Sequence, residues 1–300
     1  MAEVFGYRID DLSDDAIRHR RHRLCPFNNI VPSCTKDRVS DPLGVCSVYH
    51  GDDVTIICPV RFREGWRIAT DAAEFFFSPG THWTAFSEVQ LDDADGRSAG
   101  KIDVVLASYD DQSRLLDFGA LEVQAVYISG NIRNPFTAYM QDPEANTNFS
   151  WRGQKNYPRA DFLSSSRKRL APQLIYKGGI LHAWGKKMAV AVDRAFFSQL
   201  PELPQVEPAA ADVAWFIYDL IESPQTNRYR LTRMQTIYTQ FTPALLRITT
   251  PNPGSEEAFR RQLQQRLTEK RTISGVGFNT LTLSALFTGD QDEQLVVDED

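Results

Sequence analysis

The chain contains no run of eighteen apolar residues, which excludes a transmembrane helix. Its opening, MAEVFGYRIDD, lacks the basic stretch and apolar core of a secretory signal, so a cytoplasmic protein is expected. There is no internal repeat. Excess positive charge is missing as well: 33 Lys and Arg stand against 39 Asp and Glu, a formal net charge of -6. Cysteine is scarce, with only four in 300 residues. What remains is ordinary for a globular protein, 42% hydrophobic and 24% charged, with length for one large domain or two unequal ones.

The negative balance argues against a nucleic-acid ligand until its distribution is considered. Asp290, Asp292, Glu293, Asp298, Glu299 and Asp300 lie in the last eleven residues with no base among them. Removing these six acids from the net -6 leaves residues 1–289 formally neutral. Such a tail is expected to be solvated and disordered. Local clusters of base then decide. Arg18 to Arg23 form one, readable as a solvated helix face or a phosphate-contacting arm.

Periodicity predicts a mixed α/β chain. An aromatic stretch from Trp66 to Phe77 reads as a core helix, followed by strands at 83–91, 101–109 and 118–129 joined by short polar turns, an antiparallel meander. Residues 131–169 read as loop. Then come a helix at 171–185, a buried strand at 187–193, a short helix at 194–200, a strand at 214–221 and a helix at 255–270. The expected divisions are 1–65, 66–289 and an acidic tail, 290–300.

The four cysteines, Cys25, Cys34, Cys46 and Cys58, all fall within thirty-four residues, beside turn-forming Pro and Gly. Four thiolates suit a closed tetrahedral site for zinc or iron. The spacing is not that of a zinc ribbon, and buried free thiols or two disulfides are the competing readings. His50 lies within the cluster and reads as a surface histidine.

Two acids stand out because they interrupt apolar strands. Strand residues two apart share a face, so Glu122 and Gln124 project together, opposite Leu121, Val123 and Ala125. Asp103 does the same between Ile102 and Val104. An ionised acid inside an apolar strand needs a partner, and a divalent cation that activates water is a good one. The alternative is an edge strand with a wet face. Asp in one strand and Glu-x-Lys in the next is the layout of PD-(D/E)XK nucleases, but here the third position is Gln124. A neutral amide orients water and supplies no charge. Lys101, two residues before Asp103, is a candidate substitute, and a second metal ion is the other remedy. Further on, Arg152, Lys155, Arg159, Arg167, Lys168 and Arg169 gather with one acid, Asp161, and with Trp151 and Tyr157 interleaved. They form an exposed basic loop or a DNA-facing one.

Taken together, LCPF (24–27), LGVC (43–46), ICPVRF (57–62), IDVVLA (102–107), FGALEVQ (118–124) and SSSRKRLAPQLIYKGG (164–179) resemble the NotI-like type II restriction endonucleases. The resemblance spans about 25–200. It implies a PD-(D/E)XK core with a central mixed sheet flanked by helices, plus a small N-terminal four-cysteine module. It implies that Cys25, Cys34, Cys46 and Cys58 hold one structural metal, iron or zinc. Asp103 and Glu122 would bind catalytic Mg²⁺, Gln124 would replace the usual lysine, and Glu88 would be a further acid. The implied activity is cleavage of both strands of double-stranded DNA at a G·C-rich palindrome by a bacterial homodimer, with a cognate DNA methyltransferase as functional partner. The rivals are a non-catalytic metal-stabilised DNA-binding protein and a less specific repair nuclease.

Overall fold

The computed structural model describes residues 1–148, 158–223 and 225–274. The acidic tail lies outside the described residues. Residues Met1–Thr250 form one compact unit and Pro251–Asp300 a second.

Among the described residues of the first unit, strands occupy β1 (Glu3–Val4), β2 (Tyr7–Arg8), β3 (Val45–His50), β4 (Asp53–Ile56), β5 (Trp83–Asp92), β6 (Ser98–Tyr109), β7 (Leu115–Gln124), β8 (Tyr127–Ser129), β9 (Arg159–Asp161), β10 (Met188–Asp193), β11 (Val213–Ser223) and β12 (Arg228–Thr239). The central sheet has the order β12-β11-β10-β7-β6-β5. β10 runs parallel to both β7 and β11, and the other pairs are antiparallel, so the sheet is mixed. Its middle strand reads MAVAVD and is buried throughout, as expected of a strand covered on both faces.

One face of the sheet carries the helix Arg67–Phe76, which lays Ile68, Ala69, Ala72, Ala73 and Phe76 against Leu106, Leu121, Ala191 and Phe216. The approach is close enough that a Cβ on Gly119 would stand 2.5 Å from the Phe76 ring. The other face carries the helices Arg133–Gln141, 162–183 and Phe241–Thr249, through Phe136, Tyr139, Leu170, Leu174, Leu181 and Phe241. Helices thus flank a mixed sheet on both sides.

The antiparallel meander β5-β6-β7 is present as the periodicity predicts. The expected third strand at 118–129 differs: it ends at Gln124. Beyond that residue the amide of Val126 donates to Ile56 O and that of Tyr127 to Ser165 Oγ, so the chain leaves the sheet and pairs as β8 with β9. The expected loop 131–169 also differs. It contains the helix Arg133–Gln141, whose first amides donate to Asn131 Oδ1, and the start of the 162–183 helix, capped by Asp161 through the Ser164 amide.

The N-terminal region packs a four-stranded sheet, β2-β1-β3-β4, which contains Cys46 on β3. The basic run belongs to the helix Asp14–His22, begun by Ser13. Arg20 there is buried, donating to the carbonyls of Asp11 and Arg8, so this arginine is structural. In the second unit, the helix Glu256–Ser274 starts with two acids and pairs Arg260 with Glu256. None of the described helices is long and apolar enough to cross a membrane.

Candidate functional site

The ladder between β6 and β7 stops at Val104 and Leu121, one step before Asp103 and Glu122. The two strands part there. The Val123 amide donates to Asp103 Oδ2 at 2.7 Å, so the carboxylate takes a proton that the ladder leaves unpaired. On the other flank β5 and β6 pair on either side of Glu88, which itself adopts φ 57°. A left-handed non-glycine residue inside a strand marks local strain, and such strain gathers at functional sites. Glu88 is exposed and lines a cavity of about 320 Å³ with Asp103 and Arg63.

Glu122 does not lie on a wet edge. β7 is interior to the sheet and the residue is 1% exposed. Burial first, and Asp103 beside it second, push its carboxyl up to about 8 against the opposing pull of Lys177. Oε2 accepts from Lys177 Nζ at 2.6 Å, whereas Oε1 is buried without a hydrogen-bond partner. An orphaned carboxylate oxygen beside a second acid fits a hard divalent cation, for which oxygen donors are the natural ligands.

Lys177 is the residue that pattern reading passed over. It is 4% exposed and also donates to Lys101 O at 2.8 Å. Its signal was in the sequence. Leu170, Leu174, Lys177 and Leu181 follow one helical stripe whose other members are apolar and buried. Lys101, which the sequence leaves open between a substitute cation and a surface lysine, is exposed, and it enters the site only through its carbonyl. Gln124 is buried and spends its amide on Ala125 O at 2.9 Å.

Asp103 and Gln124 also line a cleft of about 940 Å³, together with Arg133, Lys168, Arg169 and Gln173. Its opposite wall comes from the cysteine-bearing region, through Lys36, Asp37 and Leu43. Arg133 ties that wall to the body of the protein by pairing with Asp41 at 2.6 Å and with Asp37. Arg167, Lys168 and Arg169 are all exposed on the 162–183 helix, and the Arg169 guanidinium lies over the Tyr127 ring. Arg159 is exposed on β9. Arg152 and Lys155, with Trp151 and Tyr157, lie outside the described residues.

All four cysteines line one small cavity of about 10 Å³, with Lys36 and Arg61. They are free thiols, so the disulfide reading fails. The Asn28 amide donates to the Cys25 carbonyl at 3.4 Å, closing a turn at the first cysteine. Burial pushes the Cys25 thiol up to about 11 and raises Cys34 and Cys46 as well. The donor chemistry fits a thiophilic ion. The side chains are not drawn together as ligands, because no three His, Cys, Asp or Glu among the described residues form a ready metal site. His50 is exposed and packs edge-on against Phe162, outside the cluster.

The family model for restriction endonuclease NotI matches residues 3–231, which include the four cysteines, both acids and Lys177. The chain belongs to the NotI restriction endonuclease family. It is accordingly a type II site-specific deoxyribonuclease that acts on DNA. No curated protein matches the chain. In this NotI-family chain the match ends inside β12, so the helices Phe241–Thr249 and Glu256–Ser274 stand outside it.

Proposed function

We propose that this NotI-family enzyme is a Mg²⁺-dependent nuclease with a PD-(D/E)XK core, cutting both strands of a G·C-rich palindromic site as a homodimer. The observation that carries the reading is Glu122 Oε1, buried, unpartnered and beside Asp103. Asp103 and Glu122 would hold the ion. Bound there, Mg²⁺ activates water and steadies charge on the phosphoryl group.

The chain's own side chains do the rest. The Val123 amide fixes Asp103, and Lys177 holds one oxygen of Glu122 so that the other stays aimed away from it. Lys168 and Arg169, on the rim of the cleft that reaches Asp103, suit phosphate neutralisation. The exposed forks of Arg159 and Arg167 suit guanine edges, which supports a G·C-rich site. Cutting both strands of a palindrome with one such site per chain supports two copies related by a two-fold axis. Four free cysteines lining one cavity are what speaks for a structural iron or zinc ion held by Cys25, Cys34, Cys46 and Cys58, an ion that would have to draw their side chains together. The setting in this reading is the bacterial cytoplasm, beside a methyltransferase that protects the host's own sites.

The test is incubation of pure protein with plasmid DNA and Mg²⁺, followed by mapping of the ends. Discrete fragments cut at one palindrome are expected. A smear would identify a nuclease of low specificity, and DNA left bound but intact would sink the metal-dependent reading.

A further inference from the structure

We propose that Lys177 is the catalytic lysine of this enzyme, delivered from a helix to the place that Gln124 on β7 leaves without charge. The proposal rests on the reading of Asp103 and Glu122 as the metal-binding acids.

Three observations carry it. First, Gln124 bears no charge, and its amide nitrogen donates to the neighbouring Ala125 carbonyl. Second, Lys177 Nζ stands 2.6 Å from Glu122 Oε2 and 2.8 Å from Lys101 O. A lysine ammonium carries three donors. Two are spent here, and the third finds no acceptor among the described residues. Third, the arrangement is a poor stabilising ion pair. A buried pair offsets its desolvation only when every remaining polar atom is satisfied. Here Glu122 Oε1 is left without a partner, so the cluster lacks the completeness of a structural contact.

The helix is shaped to deliver this side chain. It holds two π-helical stretches, Ser166–Leu170 and Leu174–Gly178, on either side of Pro172. The Ala171 amide reaches back five residues to Ser166 O, and the Gly179 amide likewise to Leu174 O. Proline lacks an amide proton and its ring crowds the carbonyl four residues earlier, so a wider turn accommodates it. Gly178 lets the helix press on Phe241, where a Cβ would stand 2.6 Å from the ring. Lys177 is thereby turned inward beside three buried leucines, while Lys168 and Arg169 remain at the cleft.

In the reaction a water oxygen bonds to phosphorus while the bond from phosphorus to one sugar oxygen breaks. The water's proton passes to solvent and the departing oxygen is protonated from solvent. Lys177 acts as a donor and not as a base. Its free N–H donates to the attacking oxygen or to a non-bridging phosphate oxygen, where negative charge grows. Removing one such donor costs about a hundredfold or more in turnover.

Four variants and one substrate test this: a plasmid that the wild-type enzyme cuts into discrete fragments. Lys177→Met is expected to lose about a hundredfold or more in kcat. Binding to the same DNA in Ca²⁺ should stay within about threefold, because Lys168, Arg169 and the other exposed basic side chains proposed to grip the DNA are untouched. Lys177→Arg, or the pair Lys177→Met with Gln124→Lys, should regain at least about tenfold over Lys177→Met by restoring a donor cation. A Lys177→Met enzyme that cuts within about threefold of wild type would overturn the proposal. So would folded, DNA-binding variants of both restoring kinds that regain nothing. Asp103→Asn separates this from the reading beneath it. If Asp103→Asn still cuts with Mg²⁺, the metal assignment fails; if it is inactive while Lys177→Met is active, only the lysine assignment fails.

Discussion

Arg61 and Glu3 form an ion pair in which neither side chain has exposed surface, with Nε 3.1 Å from Oε2. Ser47 Oγ donates to the same carboxylate, and the other guanidinium nitrogens donate to Glu64 Oε2 and to the Tyr229 carbonyl. The guanidinium plane also covers the Phe27 ring at 4.2 Å. One side chain therefore ties β1, β12 and the loop after Cys25 together. Removing one member of such a pair leaves a buried charge alone, at a cost of about 3–5 kcal/mol. Arg61→Met should show that loss in urea unfolding, and adding Glu3→Gln should recover part of it. A single variant as stable as wild type would refute the clamp.

The acids should separate by their effect on stability while sharing one on activity. Asp103→Asn and Glu122→Gln should both abolish cleavage in Mg²⁺. Asp103→Asn keeps an acceptor for the Val123 amide and relieves repulsion with Glu122, so thermal stability should hold or rise. Above about pH 8, where Glu122 is ionised, Glu122→Gln leaves Lys177 buried without its anion and should cost about 1–3 kcal/mol. Melting curves of the metal-free proteins check the contrast; equal melting points would break it.

For the cysteines, elemental analysis should find about one iron or zinc per chain, since four thiolates complete one tetrahedron. Replacing any of Cys25, Cys34, Cys46 or Cys58 by Ser should lower solubility and melting temperature, because binding energy at such sites is folding energy. Metal-free protein that melts like the isolated enzyme would contradict this.

What could be read in the sequence followed from periodicity. Strands β6, β10 and β11 bury apolar runs, and β5, though largely exposed, carries strand formers such as Trp83, Thr84, Phe86 and Val89; their ends emerge within a few residues of expectation. Acids breaking such runs flagged Asp103 and Glu122. The N-terminal sheet was hidden because β1 and β2 have two residues each, and one of those four is the buried Glu3. β12 was hidden because Arg230, Gln235 and other polar residues alternate along a sheet-edge strand. Lys177 was missed for a different reason. A lysine on a helix is usually solvated, and only its phase against Leu170, Leu174 and Leu181 shows otherwise.

Asp193 gives the fold a pH dependence of known sign. It is buried, accepts from the Ile56 amide at 3.0 Å and caps the next helix through Phe196. Burial pushes its carboxyl from the ordinary 3.8 up to about 7, against the pull of those amides. Folding therefore favours the protonated acid. The contribution is complete below about pH 4 and is lost as pH rises through 7. The loss amounts to about 4 kcal/mol at most, from roughly three pH units at about 1.4 kcal/mol each. Urea midpoints should fall across that window, and Asp193→Asn should flatten the fall. A variant as steep as wild type would place the slope on other groups.

The helix 162–183 also acts as a ruler. Lys168 at the cleft and Lys177 against Glu122 are separated by a fixed nine residues that include Pro172. Each residue of an α-helical turn advances the side chain by about 100° around the axis, and each residue of the wider π turns by somewhat less. Deleting one residue between them would leave both lysines in the sequence and every apolar count nearly unchanged, yet put them out of phase. Grip on the DNA backbone and charge at the scissile bond are thus locked to one register, so length in this stretch is constrained as tightly as composition.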